Sequence, residues 1–366
     1  MVRGAHGVTS QAYDHRVATV LFDSVTLSYR EGTALSDLTL RVEHGELLVL
    51  LGPSGSGKSS VLRLIAGLDL PSSGDVLING VPVGDIPARE RNVAMVFQDN
   101  VLFPFLDVEG NVGFPLDVRG LPGEEIEARV HAETRALHIE SIMERMPETL
   151  SSGQQQLVQA AKAMVRTPDV FLMDEPLARI DPARRRAMRS EFRMLQEGYG
   201  TTTVYATNDQ EEAMAIADRI AVLDDGKVRQ VGPPLEVYNR PLDVFVAGFV
   251  GSPQMNVFPA AAAAGTIRLG PVDLETDPTW SGSVTVGVRP ADWNEISDGL
   301  PVRITHVDVL GADVLAAGES EVGEVTIRMH GPPPRTGDVV LFGPRRYHVF
   351  DEATGRAIFH AGGSLR

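Results

Sequence analysis

Apolar residues alternate at Val20, Phe22, Val25 and Leu27, and a second run of similar character covers residues 38–42. Alternation of this kind predicts strands with one buried face, because successive side chains of a strand point to opposite sides. Residues 46–51 read differently, as a nearly unbroken apolar run suited to a strand buried on both faces. Helical spacing follows over residues 60–66, 124–144 and 154–165. Residues 170–173 form another short apolar run with the look of a central parallel strand. Strand and helix continue to alternate through residues 203–205, 210–217 and 220–223. Such alternation predicts an α/β fold. After residue 251 the pattern changes to short strands at 284–288, 302–309, 325–329 and 339–342, separated by Gly, Pro and Asp. That spacing predicts a small β-barrel or sandwich. The Ala-rich stretch 260–264 reads as a linking segment. The expected organisation is a polar extension over residues 1–16, an α/β domain over 17–250 and an all-β domain over 251–366.

Composition sharpens this picture in three places. A net charge of −16 across 366 residues argues against general nucleic-acid binding. The absence of Cys excludes disulfides, thiol catalysis and cysteine-ligated metal. No apolar run approaches the roughly 20 residues that a membrane helix needs, and residues 1–16 lack the apolar core of a signal peptide. The chain is expected not to cross the bilayer itself, which leaves docking on a protein that does cross it open.

The chemistry is concentrated in Gly52-Pro53-Ser54-Gly55-Ser56-Gly57-Lys58-Ser59, with Ser60 beginning the helix. The run fits G-x-x-x-x-G-K-[ST] and stands between a buried strand and a helix, where a phosphate-binding loop belongs. Its glycines let backbone N–H groups curl around a triphosphate. Lys58 offers a point charge to the outer phosphates, Ser59 a hydroxyl to Mg²⁺, and the helix N-terminus a favourable dipole. Only three residues are Lys against thirty Arg, which makes Lys58 the more telling. Asp174 and Glu175 follow the apolar run 170–173. Asp174 is placed to hold Mg²⁺ opposite Ser59, and Glu175 to polarise an attacking water. ATP and Mg²⁺ are the expected ligands.

Leu150-Ser151-Ser152-Gly153-Gln154, opening the helix over 154–165, resembles the L-S-G-G-Q signature of ATP-binding cassette proteins. That resemblance spans residues 17–250 and orders the remaining positions. By pattern alone Tyr29 is a packing aromatic and Gln98 a surface polar residue. The resemblance makes Tyr29 the ring that stacks on adenine and Gln98 the glutamine that senses the γ-phosphate and its metal. It makes Asp181 the aspartate of the D-loop. Residues 98–105 would line the groove that grips a membrane subunit in a helical subdomain. Two such chains would close head to tail, each ATP lying between residues 52–59 of one and 151–154 of the other.

The second half carries Gly248-Phe249-Val250-Gly251-Ser252-Pro253 and Gly287-Val288-Arg289-Pro290. These resemble the junction and the oligonucleotide/oligosaccharide-binding-like regulatory domain of carbohydrate-importer ATPases of the maltose, trehalose and glycerol-phosphate types. Importers of iron, polyamine, sulfate or molybdate carry similar tails. The resemblance implies membrane permease subunits, a second and identical cassette, an extracytoplasmic solute-binding protein reached indirectly, and a place on the cytoplasmic face of the membrane. A soluble phosphate-loop kinase is disfavoured by the signature. Two departures from the family pattern bear on rate. Asn208 stands where the family has a histidine that contacts the γ-phosphate, and Ser152 and Leu157 replace a Gly and an Arg of the signature region. An importer ATPase is the leading expectation. The alternative is a regulatory or assembly subunit that binds ATP and scarcely hydrolyses it.

Overall fold

A computed structural model describes residues 19–99, 102–178, 180 and 182–362. The chain forms two compact units, one up to Val228 and one from Arg229.

The first unit begins with an antiparallel sheet. β1 (Val20–Tyr29) pairs with β2 (Gly32–Val42) and, on its other side, with β4 (Ser73–Ile78), to which the short β5 (Val81–Pro82) adds. β3 (Leu47–Leu51) leads instead into a parallel sheet. It lies between β9 (Arg219–Asp224) and β8 (Thr202–Thr207), with β7 (Val170–Asp174) and β6 (Val93–Val96) following in order. Every residue of β3 and β8 is buried, as expected for parallel strands covered on both faces. The helix α1 (Lys58–Ala66) starts after β3, α5 (Pro182–Tyr199) lies between β7 and β8, and α6 (Gln210–Ile216) between β8 and β9. Between β6 and β7 the chain makes a helical excursion: α2 (Val108–Asp117), α3 (Gly123–Ala136) and α4 (Ser152–Met164). The carboxyl ends of β3, β7 and β8 stand side by side, which is where open parallel sheets bind ligands.

The helix expected over 124–144 is shorter. It stops at Ala136, because His138 takes a left-handed backbone (φ 54°). The N–H groups of His138 and Ile139 then reach back to Arg135 O and Thr134 O, the pattern of a Schellman stop. This turn buries Leu137, Ile139 and Ile142, which a continuous helix would not place together.

The second unit opens with β10 (Lys227–Gly232) crossing the division, then α7 (Pro234–Asn239) and α8 (Val244–Phe249). Ten strands complete it: β11 (Asn256–Ala263), β12 (Thr266–Leu269), β13 (Val272–Glu275), β14 (Gly282–Val288), β15 (Trp293–Leu310), β16 (Asp313–Ser320), β17 (Gly323–His330), β18 (Val339–Pro344), β19 (Tyr347–Asp351) and β20 (Ala357–Ala361). They make two antiparallel sheets, β13-β12-β11-β14-β19-β20 and β17-β16-β15-β18, around one core that includes Phe258, Val286, Trp293, Ile327 and Phe342.

Two expectations are corrected here. Residues 260–264 are no linker: Ala260, Ala261 and Ala262 pair with Val284, Ser283 and Gly282, and Ala262 is buried. The division between units also falls earlier than residue 250. Arg289, 2 % exposed, donates to Tyr238 O at 3.1 Å and to Val250 O at 2.5 Å, and its guanidinium lies 3.7 Å from the Tyr238 ring centroid. The N–H of Ala357 donates to Leu242 O, and that of Val244 to Gly355 O. These bonds tie α7 and α8 to the β-rich unit. The polar extension 1–16 lies outside the described residues.

Candidate functional site

The carboxyl end of β3 runs into a loop with little room for side chains. A Cβ on Gly52 would fall 2.3 Å from Leu223 O and 2.6 Å from Ser56 Oγ. Gly57, which precedes α1, has φ 100°, a conformation that L side chains rarely adopt. The loop closes over Lys58, whose ammonium donates to Gly52 O at 2.8 Å and Pro53 O at 2.9 Å while only 5 % of the residue is exposed. Burial lowers the pKa of Lys58; Glu175 and Asp174 oppose that shift. An ammonium has three protons, so one remains for an oxyanion. Among the described residues, the Ser56 hydroxyl is buried without a partner inside the same loop. Ser54 and Gly55 are exposed at its tip. Ser60 lies inside α1, whose N-terminus faces the loop.

Ser59 Oγ donates to Asp174 Oδ1 at 3.0 Å, which joins the first turn of α1 to the last residue of β7. Burial raises the Asp174 pKa, with the Ser59 bond and the Lys58 and Arg63 charges acting against it. Glu175 follows with a left-handed backbone (φ 46°), its N–H bonded to Ala206 O at 2.9 Å. Its Oε2 accepts a 3.2 Å bond from Gln98 Nε2. Lys58, Ser59, Asp174, Glu175 and Gln98, expected together from the sequence, therefore are together. A serine hydroxyl, a carboxylate and an amide oxygen are donors that Mg²⁺ accepts, and the remainder of its shell would come from phosphate and water.

The ring of Tyr29 is half-exposed, and its hydroxyl donates to Asp69 Oδ2 at 2.7 Å. Arg63 holds the same carboxylate, donating from Nε at 2.7 Å and Nη2 at 3.2 Å. The sequence by itself singles out neither Asp69 nor Arg63. No motif marks them, since the contact spans 40 residues.

Ser151 caps α4. Its hydroxyl accepts Gln154 N at 3.3 Å and its N–H donates to Gln154 Oε1 at 3.0 Å, a reciprocal capping box. Ser152 is exposed at the first helical position, and Gly153 is buried. Among the described residues, no hydrogen bond or ion pair joins 151–154 to the phosphate-loop group. Asp181 lies outside the described residues.

Asn208 is exposed on the turn from β8 to α6. Its neighbours are fixed. Thr207 Oγ1 donates to Glu212 Oε2 at 2.8 Å, Tyr205 OH donates to the same oxygen at 3.1 Å, and Asp209 Oδ1 accepts Glu212 N at 3.0 Å. Burial raises the pKa of Glu212. Asp209 caps α6, and Glu212 turns inward to Thr207 and Tyr205, a contact that the sequence does not anticipate.

The family described as ABC transporter matches residues 35–178. The sn-glycerol-3-phosphate import ATP-binding protein UgpC of Paracoccus denitrificans is 40% identical over 351 residues, covering 93% of this chain and 99% of that protein. The lactose transport ATP-binding protein LacK of Rhizobium radiobacter is 40% identical over 365 residues, covering 93% and 100%. Among solved structures, a dimeric ATP-binding cassette in a post-hydrolysis state with ADP and Pi is 31% identical. It superposes with a TM-score of 0.54 over 59% of this chain and 98% of its own. With relatives aligned along nearly their whole length and a cassette fold carrying the phosphate loop, the chain belongs to the ABC transporter family, among its ATP-binding proteins.

Proposed function

We propose that the protein hydrolyses ATP to energise import of a carbohydrate or a related solute, such as a glycerol phosphate, through membrane permease subunits. The observation that carries this reading is the alignment with import and transport ATP-binding proteins along 93% of the chain, through both of its units. The ring of Tyr29 would stack on adenine, and the 52–59 loop with Lys58 would hold the phosphates. Ser59, Asp174 and Gln98 would hold Mg²⁺, which neutralises charge on the phosphate oxygens. Glu175 would take the proton of a water whose oxygen attacks the γ-phosphorus as the bond to the bridging oxygen breaks. Ser151, Ser152, Gly153 and Gln154 of a second, identical cassette, with its Asp181, would complete each site. Closing and reopening of that pair would drive the permease between its two orientations. The second unit, from the β10 crossing onward, serves as a regulatory domain.

No helix among the described residues is long and apolar enough to cross a membrane. In the proposed assembly the protein would sit at the cytoplasmic face, held by its permease, with a solute-binding protein acting from the other side. Co-expression with the permease and reconstitution into vesicles tests it. ATP-dependent uptake of glycerol 3-phosphate or a sugar is expected, and Lys58→Ala abolishes it. Uptake of iron, polyamine or an oxyanion instead would overturn the solute class. A regulatory subunit with little turnover is the second reading, favoured by Asn208. A steady-state ATPase rate in the assembled complex no greater than that of Glu175→Gln would establish it.

A further inference from the structure

Arg185, on the first turns of α5, is bonded to both turns that carry the hydrolytic groups. Its Nη1 donates to Asp209 Oδ2 at 3.0 Å, and its Nη2 to Ile180 O at 3.2 Å. Ile180 ends the turn that starts at Glu175, a turn closed by bonds from Ala178 N to Glu175 O and from Ile180 N to Leu177 O. Asp209 immediately follows Asn208. Its own N–H donates to Thr207 Oγ1 at 3.0 Å, and its second oxygen caps α6. Asn208 thus sits between two pinned residues, and the pinned turn is tied through one guanidinium to the turn of Glu175. Both partners of the ion pair are about three-quarters buried, at 27% and 24% exposed side chain.

We infer that Arg185 is a positioning residue for hydrolysis, fixing the separation between the Glu175 turn and the Asn208 turn. The inference rests on the reading of Glu175 and Asn208 given above. A guanidinium is planar and presents two N–H groups at a fixed spacing, so it holds a carboxylate and a carbonyl in one geometry; an ammonium on a flexible stem does not. The distance it fixes matters, because misplacing a reacting group by about 1 Å costs on the order of 10²-fold in rate.

The test is steady-state ATPase of the complex with its permease, alongside ATP affinity and thermal unfolding, for Arg185→Lys, Asp209→Asn and the double variant. Each single change should lower kcat about tenfold or more, with ATP affinity, KM and unfolding midpoint near wild type. The double variant should be no slower than the slower single one, since both break the same tie. Arg193 is the control. It lies on the same helix and holds Glu197, Asp218 and Ile216 O, at the far end of α6. Arg193→Lys should leave kcat unchanged. If Arg193→Lys lowers kcat as much, or the Arg185 and Asp209 variants lose rate only with stability, Arg185 is general support and the inference falls. If Glu175→Gln is inactive while Arg185→Lys keeps the wild-type kcat, the positioning role falls alone. If Glu175→Gln hydrolyses ATP normally, the reading beneath it falls first.

Discussion

Gln98 and Glu175 meet because of strand register. Val96 of β6 pairs with Met173 of β7, and each of the two site residues stands two positions beyond its strand's paired residue. The amide of Gln98 then reaches Glu175 Oε2 at 3.2 Å. A one-residue slip of β6 would turn its side chains to the other face and separate the pair. Glu175 also holds a left-handed backbone, at a cost of about 1–2 kcal/mol. The bond from its N–H to Ala206 O helps to keep it there. A strained, pinned carboxylate beside a phosphate loop is suited to orient one water.

Glu175→Gln should therefore abolish turnover while leaving ATP binding intact. The amide keeps the shape and the Gln98 contact but no longer accepts a proton. With ATP and Mg²⁺ the variant should elute from a sizing column as a dimer, where wild type returns to the smaller species. Wild-type turnover by Glu175→Gln would remove Glu175 from the chemistry.

Lys58→Ala should abolish ATP binding in a protein that still folds. Each charge-assisted bond to a phosphate is worth roughly 1.5–3 kcal/mol. The change also leaves Gly52 O and Pro53 O without the donor that now holds them, so the loop itself loses its shape. Calorimetric titration with ATP should show no binding heat, with the far-UV spectrum unchanged. Affinity equal to wild type would defeat the phosphate-loop reading.

What the sequence made legible was local or periodic. The phosphate loop, the apolar strands before Gly52 and Asp174, and the 150–154 signature each lie within one short window, where pattern and chemistry coincide. Ser59 and Asp174 could be paired because both follow buried parallel strands. Contacts that depend on a turn bringing distant residues together were not legible. Arg63 and Tyr29 on Asp69, Arg185 on Asp209, and Arg289 on Tyr238 and Val250 are of this kind. The Ala-rich strand β11 looks like a linker in the sequence for a related reason. Alanine has no alternation of polarity to show, and only its pairing with β14 reveals it. Likewise nothing in the helical period of α3 announces the left-handed His138 that ends it.

The second unit should lose stability as pH falls below 7. His348 and His360 pair across β19 and β20 with Nδ1 atoms 2.8 Å apart. Burial, then the neighbouring His360, Arg289 and Arg346, hold the pKa of His348 down to about 3. Burial and Arg240 also lower His360. The unfolded chain titrates near 6.5, so between about pH 6.5 and 3 it binds more protons than the folded unit. Stability then rises with pH across that window and is lost on acidification, with His348 alone contributing about 2 kcal/mol between pH 7 and 5 and His360 acting in the same direction. Both tryptophans, Trp280 and Trp293, lie in this unit, so their fluorescence reports its unfolding in urea. His348→Gln should flatten the pH dependence. An equally steep dependence in that variant would assign it to other groups.

Asn208 sets the expected rate. Its side chain is exposed on a turn fixed by Thr207 and Asp209, so its placement is settled and the surroundings leave room for a larger ring. The amide NH₂ donates a hydrogen bond to a γ-phosphate oxygen but carries neither a proton to give up nor a positive charge, both of which an imidazole supplies. Losing one transition-state donor outright costs about 2.7–4 kcal/mol, or roughly 10²–10³ in rate. Replacing it by a neutral donor should cost less than that. Slow hydrolysis follows for the wild type, with Asn208→His faster, Asn208→Ala slower, and ATP affinity nearly constant across the three. Arg185 holds the turn equally in all of them, so a difference in kcat reports the side chain alone. Equal turnover in the histidine and alanine variants would mean that the position is idle and that Glu175, with Gln98, orders the water unaided.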